Sequence, residues 1–361
     1  MLVALAEGLA GTGHRVDLVV LCGPAPPLEG LRVLALGAAA PALGALPFLA
    51  YLNRQRPRAV LSTLVGPNAI AVACARLVTA RWRPRVVVRE ANTLSVALRY
   101  RSPANRRVAA AVVRAAYPHA DAIVAVSEGA RADLARFLAL PPERVIAIPN
   151  PSPTGALVAR AAAPLAHPWF APDRTTPVIV AAGRLVPKKG FGVLLEAIAQ
   201  VRQRRDVRLV VLGEGPERAT LEASRARLGL RDVVEFPGFV DNPFAYLGRA
   251  DLFVLASLAE GSPNVLIEAL ACGCPVVATD CPSGPREILR EGRDGPLAAP
   301  GDAPALAAAI EQVLAAPPDR AALRSRAADF DSGRAFGAYS RVLGLGEPPR
   351  QPRGEVGTSE P

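Results

Sequence analysis

Short β-branched apolar runs alternate with alanine- and leucine-rich stretches along nearly the whole chain. In the first half the apolar runs fall at 16–21, 32–36, 59–62, 85–89, 122–126 and 145–148, with helical stretches between them such as 68–79, 103–116 and 129–138. In the second half they fall at 178–182, 208–212, 233–236, 252–256, 275–279 and 296–298. Continuous apolar strands separated by helices predict parallel sheets covered on both faces. The pattern is therefore that of an α/β protein with two doubly wound, Rossmann-like domains.

The boundary lies in the proline- and alanine-rich segment 150–176, which has no strand pattern and is long for a connection inside one domain. This gives an N-terminal domain over 1–150, a linker over 151–176 and a second domain over 177–332. A last helix follows over 333–345, with its apolar stretch at 335–343. The segment 346–361 is rich in proline, glycine and charge and reads as a disordered tail. Residues 1–11 read as a helix and 14–21 as the strand after it. A doubly wound domain ordinarily opens on a strand and a glycine-rich turn. The order found here predicts a gap where that central strand belongs, as in a reading frame that begins upstream or a fragment.

Composition narrows the picture. At 361 residues, 51% apolar and 20% charged, the chain is long enough for two cores and too apolar for wholesale disorder. Five cysteines with no framework spacing argue against a disulfide-stapled fold and fit a reducing cytosol. Of the 42 basic residues only two are lysines, the adjacent Lys188 and Lys189. Residues 1–172 carry 19 basic and 8 acidic side chains, against 23 and 24 in 173–361, so the positive surplus belongs to the first half. Such a surface suits an anionic partner, a lipid surface or a phosphorylated acceptor. Nucleic acid is not expected, because aromatics to stack bases are few there and no nucleic-acid-binding signature is present.

Glu7 and Gly8 interrupt the opening apolar stretch, so no signal peptide is read there. Residues 33–52 carry no charge, yet Gly37, Pro41, Gly44 and Pro47 break the stretch. It reads as a buried strand, a turn and a helix starting near Pro41 that touches a membrane surface without crossing it.

Three strand-to-helix turns carry the chemistry. Gly183-Arg184 with Lys188-Lys189-Gly190 follows one apolar strand and leads into a helix. Cations, open backbone amides and a helix dipole converge there, which suits a diphosphate. The second turn, Glu260-Gly261-Ser262-Pro263-Asn264-Val265, places Pro263 in the first turn of a helix and leaves the amides near Asn264 and Val265 free for a phosphate. Glu260 in that loop and Glu268 about one turn inside the helix can each accept paired sugar hydroxyls. The third turn, Asp280 to Leu289, walls the same edge. Cys272, Cys274 and Cys281 lack a fourth ligand and read as buried reduced thiols rather than a metal site. His14, His119 and His167 sit in loop-like places and read as structural.

At these residues the chain resembles the GT-B glycosyltransferases, specifically the large retaining family 4. The Glu-x7-Glu pair Glu260 and Glu268, the Gly-Arg…Lys-Lys-Gly stretch and the run onward to Pro285 carry the likeness. Gly13-His14-Arg15-Val16, Ala125-Val126-Ser127 and Ile148-Pro149-Asn150-Pro151 extend it more loosely into the first half. The resemblance implies two Rossmann-like domains facing each other across a cleft. It implies that Arg184 and Lys189 hold the donor diphosphate, that Glu260 contacts the transferred sugar and that Glu268 binds the ribose. The implied donor site is Gly183, Arg184, Lys189, Glu260, Gly261, Ser262, Asn264, Val265 and Glu268, with Glu260, Arg184 and Lys189 catalytic. Glu90 and Asn92 are the acceptor-side candidates, since the strand end Arg89-Glu90-Ala91-Asn92 lacks the histidine that some relatives place there. The glycine-rich turn that approaches the donor in the family has no counterpart.

The implied reaction moves a sugar from a nucleotide-diphosphate donor to a lipid-linked or polysaccharide acceptor, with retention and with no metal or other cofactor. The stretch 280–289 resembles members that use UDP-N-acetylhexosamines. Partners are then the nucleotide sugar, the glycan acceptor and an anionic membrane surface, and the location is cytoplasmic, peripheral on the inner face of the cytoplasmic membrane. Two other readings use the same fold: a sugar phosphorylase or nucleotide-sugar epimerase, and a truncated, non-catalytic donor-binding protein.

Overall fold

The computed structural model describes residues 2–24, 28, 30–78 and 82–346. Among the described residues twelve strands form three parallel sheets. β1 (Asp17–Cys22) pairs with β2 (Arg32–Ala38). β3 (Ala59–Thr63), β4 (Arg85–Glu90), β5 (Ala122–Ala125) and β6 (Val145–Ala147) form a second sheet in that order. The third sheet holds β7 (Val178–Ala182), β8 (Arg208–Leu212), β9 (Val234–Gly238), β10 (Leu252–Leu255), β11 (Val276–Thr279) and β12 (Leu297–Ala298). Its order is β12-β11-β10-β7-β8-β9. The fold is thus α/β with parallel sheets, as the alternation of the sequence predicts.

Burial on both faces explains why β7 and β10, at the middle of the third sheet, are continuous apolar runs. Ile179 and Ala181 of β7 face one core, with Leu194, Ile198 and Ile310 from the helices Phe191–Val201 and Ala303–Ala315. Val178 and Val180 face the other core, with Leu247, Leu266, Leu270 and Leu323. The N-terminal unit differs from a single doubly wound sheet, because among the described residues β1 and β2 pair only with each other.

Segment 151–176 is more ordered than a linker. It carries the helix Thr154–Ala162 and a 3₁₀ turn at Pro168–Phe170. Leu157 and Phe170 are buried in the core of the second domain, so the prolines punctuate a packed segment and do not keep it loose. The last helix, Ser332–Leu343, returns to the first domain and buries Ala335, Tyr339 and Leu343 against Leu5, Leu9, Val87 and Ile148. The two chain crossings lie side by side. Ser152 N donates to Phe330 O at 3.3 Å, and Ser332 N donates to Ser152 O at 3.0 Å. Together they form the hinge between the domains. The tail expected over 346–361 lies, apart from residue 346, outside the described residues.

Charge-free 33–52 divides into β2, a 3₁₀ turn at Pro41–Gly44 and the helix Ala45–Gln55. Among the described residues no helix is long and apolar enough to cross a membrane.

Candidate active site

The second sheet-wide domain changes direction between β7 and β10. The chain runs outward through β8 and β9, then crosses back to place β10 on the other side of β7. Ligands of open α/β sheets bind outside the carboxyl ends of the strands at such a switch point. The three strand-to-helix turns singled out in the sequence follow β7, β10 and β11, which are neighbours in the sheet. All three open onto one edge.

After β7 the chain passes Gly183 and Arg184, makes a 3₁₀ turn at Pro187–Lys189 and enters the helix Phe191–Val201 through Gly190. Gly190 has φ +66°, and a Cβ there would overlap the carbonyl oxygen of Ala256, so both conformation and space demand glycine. That close approach locks the first turn onto the second. Leu258 N donates to Lys188 O at 2.8 Å across the same seam. Arg184 is exposed and makes no ion pair among the described residues.

After β10, Glu260 accepts from Lys189 Nζ at 2.5 Å and from Ser257 Oγ at 2.6 Å, both on Oε1. Pro263 is the residue before the helix Asn264–Ala271, in extended conformation, and not part of its first turn as the sequence suggested. The amides of Asn264 and Val265 head that helix and, among the described residues, meet no protein acceptor. Glu268 lies on this helix among buried Leu266, Ile267 and Leu270. Burial pushes its carboxyl above the ordinary value, with the Arg160 charge opposing. Among the described residues its carboxylate makes no hydrogen bond. A half-buried, unbonded acceptor beside an anion-friendly helix start is suited to sugar hydroxyls.

The first domain closes directly on these turns. Thr93 Oγ1 donates to Glu260 O at 2.8 Å and pairs with Ser283 Oγ. Ser127 Oγ donates to Gly261 O at 2.8 Å. Glu287 accepts from the amides of Glu128 and Gly129 at 2.8 and 2.7 Å, so a carboxylate of the second domain caps the helix Glu128–Leu138 of the first. Asn150 Nδ2 donates to Asn264 Oδ1 at 2.6 Å and to Ser262 O at 3.3 Å. Cavities along this contact include one of about 90 Å³ beside Ser127, Ser262 and Glu287 and one of about 20 Å³ beside Asn92, Tyr100, Lys188 and Glu260.

Of the acceptor-side candidates, Asn92 lines the smaller cavity. Glu90 turns inward. Its Oε2 accepts from Tyr117 OH at 3.1 Å, and its Oε1 from the amides of Ala91 and Asn92 at 3.1 and 3.3 Å. Burial drives its carboxyl up, against the hydrogen bonds and the Arg89 charge. Glu90 therefore shapes the loop that carries Asn92 and Thr93, and its oxygens are not directed at an acceptor.

Sequence reasoning did not single out Thr93, Ser283 or Glu287, whose value is contact across the cleft; one-dimensional patterning carries no signal for that. Arg89 had a signal: an arginine closing the apolar run Val86-Val87-Val88 is an unusual place for a charge. Cys272, Cys274 and Cys281 are buried free thiols, and burial pushes Cys272 and Cys281 up to about 12. Among the described residues no three His, Cys, Asp or Glu side chains are grouped to hold a metal ion. His167 lies away from the cleft, bonded to Glu235 at 3.0 Å and packed edge-on against Phe170 and Tyr246.

Two parallel-sheet α/β units joined by paired crossings, with the switch-point edge of the second facing the first, have the architecture of a GT-B glycosyltransferase. Residues 176–316 match the glycosyl transferases group 1 family, and residues 1–151 match the glycosyl transferase 4-like domain. A Campylobacter jejuni enzyme named N-acetylgalactosamine-N,N'-diacetylbacillosaminyl-diphospho-undecaprenol 4-alpha-N-acetylgalactosaminyltransferase is 33% identical over 70% of this chain and 67% of its own length. A lipopolysaccharide core biosynthesis glycosyltransferase of Rhizobium meliloti is 38% identical over 54% of this chain and 53% of its own. The matched stretch thus spans between about half and two thirds of these relatives. Anabaena HepE, solved with UDP-glucose, superposes with a TM-score of 0.73 at 20% identity, covering 95% of each chain, a likeness of fold alone. The chain belongs to the group 1, family 4-like glycosyltransferases.

Proposed function

We propose that this chain transfers a sugar from a nucleoside-diphosphate donor, a UDP-sugar, to a lipid-linked or polysaccharide acceptor. The observation that carries the reading is the pairing of Lys189 with Glu260 across the neighbouring turns after β7 and β10, the second of which leads into the helix Asn264–Ala271. In this reading Arg184, Lys189 and the amides of Asn264 and Val265 bind the diphosphate and stabilise the charge that grows on it as the anomeric carbon–oxygen bond breaks. Glu260 faces the transferred sugar and Glu268 the ribose hydroxyls. The departing phosphate oxygen takes the acceptor's hydroxyl proton on the face where the new bond forms, so configuration is retained. Gly183, Gly261 and Ser262 serve as backbone of the donor turns. No residue of the first domain is assigned as a nucleophile.

Donor chemistry is supported by the UDP-glucose bound to the structural neighbour, and N-acetylhexosamine by the Campylobacter relative's name. Acceptor chemistry is supported by the diphospho-undecaprenol and lipopolysaccharide core of the two relatives' names. In this chain Arg99, Arg101, Arg106 and Arg107 are exposed and make no ion pair among the described residues, and Tyr100 between them lines the small cavity beside Glu260. This segment would face an anionic lipid headgroup or an acceptor diphosphate. The exposed Leu43 and Leu46, at the start of the helix Ala45–Gln55, offer an apolar complement.

The test is a native mass-spectrometric screen against a panel of nucleotide sugars, followed by nucleoside-diphosphate release with lipid-linked acceptors. Retention of one nucleotide sugar and acceptor-dependent release are expected. Phosphate-dependent cleavage would support the phosphorylase reading instead, and binding without turnover the non-catalytic one.

A further inference from the structure

Arg89 is a buried cation without a carboxylate. It is 2% exposed, and among the described residues no acidic side chain lies in ion-pair range. Burying a charge is expensive unless its hydrogen bonds are all met. Three of its five N–H groups donate to neutral oxygens: Nε to Tyr339 OH at 3.1 Å, Nη1 to Thr63 Oγ1 at 3.3 Å and Nη2 to Asn150 Oδ1 at 2.5 Å. These partners come from the returning helix, the neighbouring strand and the hinge.

The bond to Asn150 has a directional consequence. Arginine only donates, so Asn150 must present its carbonyl oxygen to Arg89. Its NH₂ group therefore faces the other way, where it donates to Asn264 Oδ1 at 2.6 Å and Ser262 O at 3.3 Å. Asn264 in turn spends its side-chain oxygen on Asn150. Its own NH₂ then has no partner among the described residues. Asn264 is the first residue of the helix Asn264–Ala271, at the donor turn. A chain of three side chains, each fixed in sense by the one before it, thus ends in an uncommitted N–H donor beside the free helix amides.

We infer that Arg89 and Asn150 are positioning residues that fix the amide sense of Asn264, so that its NH₂ and not its oxygen is offered to the donor phosphate. The inference rests on the diphosphate reading of this turn. A reversed Asn264 would point a carbonyl dipole at the anion, which turns an attraction into a repulsion.

The test uses the full chain and two probes, the nucleoside diphosphate that the wild type binds best among UDP, GDP and ADP, and its parent nucleoside. Asn150→Ala removes the relay without adding charge. Asn150→Asp keeps a partner for Arg89 yet has no N–H for Asn264. Asn264→Ala removes the terminal donor. Each is expected to weaken diphosphate binding about tenfold or more, the loss of one charged hydrogen bond. Nucleoside affinity should stay close to wild type in all three; the melting temperature should stay close to wild type in Asn264→Ala and fall in Asn150→Ala, which leaves buried Arg89 a partner short, and Asn150→Ala combined with Asn264→Ala should weaken diphosphate binding no more than either alone.

Unchanged diphosphate affinity in folded Asn150→Ala and Asn150→Asp overturns the inference. So does an equal loss for the nucleoside, which marks a general structural lesion, and so does additivity in the double variant. A wild type that binds none of the three diphosphates overturns the donor reading itself, and the relay falls with it.

Discussion

Lys189 and Glu260 hold each other across two turns of one sheet edge, with Nζ 2.5 Å from Oε1 and both side chains largely buried. The pair joins the residue assigned to the diphosphate with the residue assigned to the sugar. An ammonium has three donors, so a phosphate reaching Lys189 shares it with Glu260. Ser257 remains on the same oxygen and keeps the carboxylate aimed.

Glu260→Gln should therefore separate binding from chemistry. Lys189 loses its charged competitor, so affinity for the free nucleoside diphosphate is expected to hold or rise up to about tenfold. Turnover of the nucleotide sugar should fall at least roughly a hundredfold, as for the loss of a charged contact made in the transition state. Calorimetry beside a nucleotide-release assay measures both, and a parallel fall in the two would contradict the division of roles.

Glu90 and Glu268 set a pH dependence of stability with a defined sign. Burial raises both carboxyls above the ordinary 4.5. Between that value and the raised ones, the folded chain holds more protons than the unfolded chain, so their contribution to stability falls as pH rises. Denaturation midpoints between pH 5 and pH 8 should show this slope, and Glu90→Gln with Glu268→Gln should flatten it. A slope unaffected by both substitutions would show that other groups set it.

Two glycines of the site should fail differently. At Gly190 a side chain meets a left-handed φ and the Ala256 carbonyl inside one domain, so Gly190→Ala is expected to cost about 2–4 kcal/mol of stability. At Gly261 a Cβ would lie 2.5 Å from Ala91 O and 2.8 Å from Asn92 Cα, atoms of the opposite domain. Gly261→Ala should keep its melting temperature within a few degrees, enlarge the radius of gyration in small-angle scattering and slow turnover. A loss of stability equal to that of Gly190→Ala would argue that the lesion is not one of closure.

Reversing charge at the exposed arginine segment probes the acceptor side. Arg99→Glu with Arg106→Glu and Arg107→Glu should abolish sedimentation with anionic vesicles at low salt, while wild-type binding weakens as salt rises. Nucleotide affinity should be unchanged, since these residues belong to the other domain. Vesicle binding that ignores both salt and substitution would contradict an electrostatic surface.

Much of this architecture can be read in the chain itself. Every strand of the sheets coincides within about two residues with an apolar run; for β5, β7, β10 and β11 the reason is burial on both faces, which leaves no polar alternation to blur the pattern. The three strand-to-helix turns are equally visible, since glycine, proline and charge punctuate each apolar strand. Less visible is whatever depends on partners distant in the chain or on local backbone geometry. Glu90 reads as an acceptor-side carboxylate at a strand end, yet Tyr117 and two backbone amides claim it. Pro263 fits a first turn by preference but precedes the helix. Arg89 announces itself only as a charge at the end of a valine run; its meaning comes from Tyr339 and Asn150, 250 and 61 residues away.

The most direct test of the donor site is calorimetric titration of the wild type and Lys189→Ala with UDP and UDP-sugars. The wild type should bind at least one of them, and the variant should bind it more weakly by about 1.5–3 kcal/mol, a loss of more than tenfold. Equal affinity in the two proteins would contradict the placement of the diphosphate at this turn.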